Sequence, residues 1–85
     1  MFNLKIKTIM ALWRISVKRT GNINGIRLEQ GMFVEMPLPS SMSDPLRSNI
    51  TQNKPVIGRL FENKYGIDLL SKGLISSVYL DATKM

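Results

Sequence analysis

From Trp13 the apolar residues fall on alternate positions, with Trp13, Ile15 and Val17 on one side and Arg14, Ser16 and Lys18 on the other. A period of two predicts a strand with one buried and one wet face. Upstream, Leu4 and Ile6 are in even phase and Ile9 in odd phase, so one flat strand cannot hold both stretches. Two readings fit. Residues 1–9 are an N-terminal extension ahead of a domain starting at Met10, or a bulge joins them to a longer strand.

Gly21-Asn22-Ile23-Asn24-Gly25 is turn-forming, and Asn24-Gly25 suits the positive φ angles of a tight reversal, so a hairpin or wide loop is expected there. Beyond it, Ile26 and Leu28 alternate with Arg27 and Glu29. Gln30-Gly31 then reverses the chain into Met32, Val34 and Met36, opposite Phe33 and Glu35. Two short strands are predicted, ended by Pro37 and Pro39, which have no backbone donor to pair. Residues 37–53, rich in proline and serine, read as a loop in which Asp44-Pro45 opens one helical turn. A loop of that length in a small domain is either mobile or functional.

From Lys54 the period changes. Val56, Ile57, Leu60, Phe61 and Tyr65 share one side against Arg59, Glu62, Asn63 and Lys64, the pattern of an amphipathic helix. Asn53 is the expected N-cap, and Gly66 followed by Ile67 the C-terminal stop. So short a helix is marginal alone, so its apolar side must pack on the sheet. Gly58, within it, predicts a close approach by a neighbouring element, expected to be a strand. Asp68 caps one further turn ending at Gly73. A last strand is expected over Leu74–Leu80, with Leu74, Ser76, Val78 and Leu80 on one face and Ile75, Ser77 and Tyr79 on the other. The predicted architecture is a single α+β domain over residues 10–85: a three- to four-stranded, mostly antiparallel sheet with one main helix on one face, in the order strand, strand, strand, helix, strand.

Composition narrows the chemistry. The 85 residues include no His and no Cys, which leaves no neutral-pH imidazole base, no thiolate nucleophile and no Cys/His ligand set for zinc, haem or an iron–sulfur cluster. Absence of disulfides favours a cytoplasmic address. The apolar run Thr8–Trp13 behind Lys5 and Lys7 is cut short by Arg14 and has no small-residue cleavage site, so no signal peptide is predicted. Nothing approaches the ~20 apolar residues that cross a bilayer. Glu29 and Glu35 fall on polar strand faces, Glu62 on the wet side of the helix, and Asp44 and Asp68 at capping positions, which argues against an acid-pair active site. The serines of residues 40–48 have no histidine to activate them, and the glycines match no phosphate-binding spacing. No enzyme, cofactor, metal or small-molecule substrate is therefore expected.

Charge is the remaining signal. The net charge is +6, and residues 1–30 hold Lys5, Lys7, Arg14, Lys18, Arg19 and Arg27 against Glu29 alone. Arg14 and Lys18 project from one face of the first strand, where a bare sheet surface could meet phosphates. Arg14, Lys18, Arg19 and Arg27 are thus the candidate nucleic-acid contacts. The opposing consideration is that RNA-reading sheets interleave aromatics with cations, whereas Trp13 faces the core. A second surface comes from the other phase: if one helix covers one face, Phe33, Ile75 and Tyr79 form an exposed apolar patch for a protein partner or a second copy.

From Met10 onward the chain resembles a family of small uncharacterised proteins of Bacteroides-group gut bacteria. The resemblance rests on Arg14–Thr20 running into Asn24-Gly25-Ile26-Arg27-Leu28-Glu29, on Gly31-Met32 with Val34-Glu35, on Met42-Ser43-Asp44-Pro45-Leu46, and on Lys64-Tyr65-Gly66-Ile67-Asp68-Leu69. These are turns and caps. The resemblance therefore implies a shared fold and transfers no catalytic residue. The expected role is that of a small basic binding domain contacting nucleic acid, with a protein-interaction or homodimerisation module as the alternative.

Overall fold

A computed structural model describes residues 10–41, 43–48 and 50–85. The 1–9 extension lies outside the described residues. Alternation at Trp13, Ile15 and Val17 produces β1 (Met10–Val17), the centre of a three-stranded sheet. On one side it pairs antiparallel with β4 (Phe33–Pro39), with Trp13 opposite Met36 and Ile15 opposite Val34. On the other it pairs antiparallel with β5 (Leu80–Lys84), with Val17 opposite Leu80. β2 (Gly21–Ile23) and β3 (Ile26–Leu28) form a separate two-stranded ribbon. Its turn is Asn24-Gly25, with φ of 52° and 82° at the two residues, as the twist of a two-residue hairpin demands. The α+β class and the element order follow the sequence pattern.

The helix α1 (Ile50–Tyr65) covers one face of the sheet and meets β4 most closely. Ile57 and Phe61 are fully buried there, with Trp13, Ile15, Val17, Val34, Met36 and Leu80 from the strands. Phe61 also stacks on Tyr65, ring centroids 5.8 Å apart. Gly66, at φ 72°, donates its N–H to Glu62 O at 2.9 Å and ends the helix as expected.

Four expectations are corrected. The helix begins one turn earlier, at Ile50, so Asn53 is no N-cap: it is buried inside the first turns, and its Nδ2 donates to the carbonyls of Pro45 at 3.0 Å and Ser48 at 3.1 Å. A short amide that satisfies two loop carbonyls is more use there than at the terminus. Pro55 consequently lies within the helix and cannot donate to the carbonyl of Thr51.

The prolines do not end β4 either, since Pro37 is opposite Leu12 and Pro39 opposite Met10. β4 is an edge strand, and the odd-numbered residues turn their backbone groups away from β1, where a missing N–H costs nothing. The loop after β4 is correspondingly shorter than residues 37–53.

The last strand is displaced. Residues 76–79 form a turn, with Tyr79 and Leu80 both donating to Ser76 O at 3.2 and 3.0 Å, and β5 starts only at Leu80. Leu74 and Ile75 lie in irregular chain just ahead of that turn, where strand alternation does not apply, and both are buried; at 2% exposure Ile75 cannot belong to a surface patch. The Gly58 approach is real, but its partner is the turn at Leu70 rather than a strand.

The outer edge of β4 is closed where it starts. The Tyr65 hydroxyl accepts from Phe33 N at 2.8 Å and donates to Phe33 O at 3.0 Å, and Lys64 Nζ donates to the same carbonyl at 2.9 Å. Tyr65→Phe is expected to lower stability by about 1–2 kcal/mol, because the strand's N–H loses its only protein acceptor while the carbonyl keeps Lys64. Urea midpoints of the two proteins measure it.

Asp68 holds the turn that leads into Leu69, a core residue. Its Oδ1 accepts from Ser71 N at 3.1 Å and its Oδ2 from the Ser71 hydroxyl. The Ser71 hydroxyl first, then the Ser71 N–H, hold its carboxyl below the ordinary aspartate pKa. A depressed pKa means the unfolded chain binds the proton more readily. The stabilisation is therefore full above the ordinary aspartate value and lost as pH falls through the lowered one. Thermal melts should show an Asp68→Asn variant less stable than the parent at pH 7, the two converging as pH falls through the lowered Asp68 value.

Candidate functional site

The cations of the open sheet face are occupied. Arg14 and Glu35 are directly opposed in register, and both Arg14 Nε, at 3.3 Å, and Nη2, at 2.8 Å, donate to Glu35 Oε2. The guanidinium also stands over the Phe33 ring, 4.3 Å from its centroid, while Lys64 Nζ approaches the same ring at 3.5 Å. Phe33 is thus half-buried between two cations. Lys18 Nζ donates to Ser77 O at 2.5 Å and lies 3.7 Å from Asp81. The face that alternation marked as phosphate-binding is close to neutral.

Charge and cavity come together at the end of β1. As the strand leaves the sheet, Lys18, Arg19 and Thr20 line a cleft of about 220 Å³ together with Ile23 and Leu28 from the ribbon and Val78 and Tyr79 from the turn before β5. Lys18 N donates to Tyr79 O at 3.0 Å, which ties these two lining segments together. Thr20 Oγ1 accepts from Gln30 N at 2.9 Å, so its hydroxyl proton stays available to a ligand. Ser76 fixes Val78 through its own hydroxyl, at 3.3 Å from Val78 N. Val78 is 71% exposed. Arg19 is exposed, and no carboxylate among the described residues pairs with it. A volume below the roughly 300 Å³ of ordinary small-molecule sites suits one flat ring with a charged group at the rim.

Of the four candidate contacts, the structure brings Lys18 and Arg19 to this cleft. Arg14 lies further along the sheet, and Arg27 sits on the face of the ribbon opposite Leu28, 3.9 Å from Glu29 in an exposed pair of little energetic weight. Of the three candidate interaction residues, Tyr79 lines the cleft, Phe33 is held between cations, and Ile75 is in the core. Sequence reasoning missed Thr20, Ile23 and Val78. Their common signal is position, because each borders a turn-forming segment, but turns do not announce which residues they bring together.

The other carboxylates are dispersed. Asp44 Oδ1 accepts from Leu46 N at 2.9 Å to set the turn at Pro45, and Glu29 lies near Arg27. No helix among the described residues is long and apolar enough to cross a membrane.

Comparison with known proteins gives a match to a family model over residues 10–82, whose description reads "Family of unknown function (DUF6140)". No curated protein and no solved structure matches the chain.

Proposed function

The chain belongs to DUF6140, a family of unknown function, and from that starting point we propose that it is a non-enzymatic binding domain for single-stranded nucleic acid, held at the cleft between Lys18–Thr20 and Val78–Tyr79. One observation carries the reading: Arg19, which no carboxylate among the described residues pairs with, and the aromatic residue Tyr79 line the same small cleft. That pairing is what recognition of an unstacked nucleotide uses, with the base against an aromatic or apolar wall and the phosphate at a cation. A duplex offers no splayed base to such a cleft, so single strands are the preferred substrate.

Composition supports the non-enzymatic part, since the chain has neither His nor Cys, and Glu35 and Asp81 serve ion pairs while Asp44 and Asp68 serve turns. The reading places the protein in the cytoplasm, where a cysteine-free domain needs no disulfide. A source among Bacteroides-group bacteria is carried by the resemblance of the turn and cap segments.

Fluorescence anisotropy with labelled single-stranded DNA, single-stranded RNA and duplex, at about 50 and 200 mM salt, tests it. Saturable binding to the single strands that weakens with salt is the expected result. Absence of binding at the lower salt, or binding indifferent to salt, rejects the reading.

A further inference from the structure

The sheet face not covered by α1 has a second feature, independent of the cleft. Leu12 and Pro37 are register partners at one end of it, Met10 and Pro39 the next pair along, and Arg14 with Glu35 the pair before them. Leu12 is 41% and Met10 50% exposed. Met85, which donates its N–H to Leu12 O at 2.8 Å, borders the same end. The face therefore runs from an apolar end to a cation–anion pair that sums to zero.

Such a face offers a polyanion little, because Arg14 is paired with Glu35 and Lys64, reaching the Phe33 ring at the far end, is the one cation added to it among the described residues. It is also ill suited to a strongly acidic or basic protein, which would leave half of each pair facing a like charge. It matches its own image. A two-fold axis parallel to the strands, midway between β1 and β4, sets β1 of one copy over β4 of the other at the same height. Every register pair then becomes a contact across the interface: Leu12 on Pro37, Met10 on Pro39, Ser16 on Phe33, and Arg14 on Glu35. The last contact has free valences to receive it. Both Arg14 donors use Glu35 Oε2, so Oε1 and the other guanidinium nitrogen remain available to the second copy. Two aligned sheets packed face to face are a standard way to bury such a surface, and a self-complementary patch is what a two-fold dimer requires.

We propose that the protein forms a homodimer through the β1–β4 face, with the Arg14–Glu35 pairs of the two copies closing a four-membered ring of alternating charge.

The test uses the full chain and two charge reversals, Arg14→Glu and Glu35→Arg, in sedimentation equilibrium over a wide concentration range. The parent should dimerise. Each variant alone places like charges opposite one another across the axis, and its dimer should weaken at least about tenfold. Mixed, the two should form a heterodimer, since both carboxylates of the Arg14→Glu copy then face both guanidiniums of the Glu35→Arg copy. Thermal melts verify that each variant is folded, and Leu12→Lys, on the exposed apolar end, supplies a second disruption should a reversal fail to fold. A monomeric parent at every concentration overturns the proposal, as does a dimer that all three substitutions leave intact or a mixture that fails to associate. A monomer that still binds single strands would reject the dimer and leave the cleft reading standing.

Discussion

Arg19→Glu is expected to weaken binding of a labelled single strand by at least about tenfold at low salt and to flatten the salt dependence by about one ion. The comparison that gives this meaning is Lys54→Glu, which changes net charge equally but sits near the start of α1. The cleft is at the other end of the molecule, because the end of the helix at Tyr65 meets Phe33, whose register partner Ser16 lies two residues before Lys18. If binding reflects only a net charge of +6, the two variants lose the same affinity; if the cleft binds, the loss belongs to Arg19. Tyr79→Ala should add a cost of about 1–3 kcal/mol from lost base stacking, with little change in salt slope. Those signatures separate the phosphate contact from the base contact.

The largest stability effect expected is at Gly58, where Gly58→Val should cost about 3 kcal/mol. A Cβ there would lie 2.9 Å from Leu70 Cβ and 3.3 Å from Ile75 Cδ1. Leu70 Cβ is bonded to the backbone of the turn that Asp68 and Gly73 define, so it cannot rotate away as the tip of a side chain could. Alanine at this position would recover helix propensity worth about 1 kcal/mol against the same clash, so Gly58→Ala should fall well short of the valine variant. Chemical denaturation of the three proteins reads the difference. Equal midpoints would mean that the turn moves aside at no cost.

The parts of the fold that local chemistry decides were legible. Trp13, Ile15 and Val17 announce a half-buried strand; Asn24-Gly25 announces a hairpin; Gly66 ends a helix and Asp68 starts a turn. Each needs only its neighbours in the chain. What could not be read depends on distant segments. Alternation from Leu74 to Leu80 looks like a strand, yet the turn at Ser76 prevails because it buries Leu74 and Ile75 together against Gly58 and the sheet. Asn53 is a good cap by composition and serves instead as the buried donor for a loop eight residues back. The candidate site shows the same division. Arg14 and Lys18 do share a face, as alternation requires, but the acids that neutralise them come from β4 and β5, 21 and 63 residues away in sequence. Arg19 keeps its charge because it lies just past the last strand residue, beyond the reach of the register that pairs the others.

The proline spacing in β4 has a consequence for solubility at high concentration. Growth of strands edge to edge into a fibre needs two free edges on every unit, one to receive and one to offer. Tyr65 occupies the backbone of Phe33, and Pro37 and Pro39 present no donors further along, so one border of the sheet cannot extend an incoming strand's ladder. Of this sheet's two borders that leaves the one at β5, and a sheet with a single adhesive border terminates the chain it joins. Replacing both prolines with threonine would convert a terminator into a monomer competent to polymerise, and would do so without touching the core.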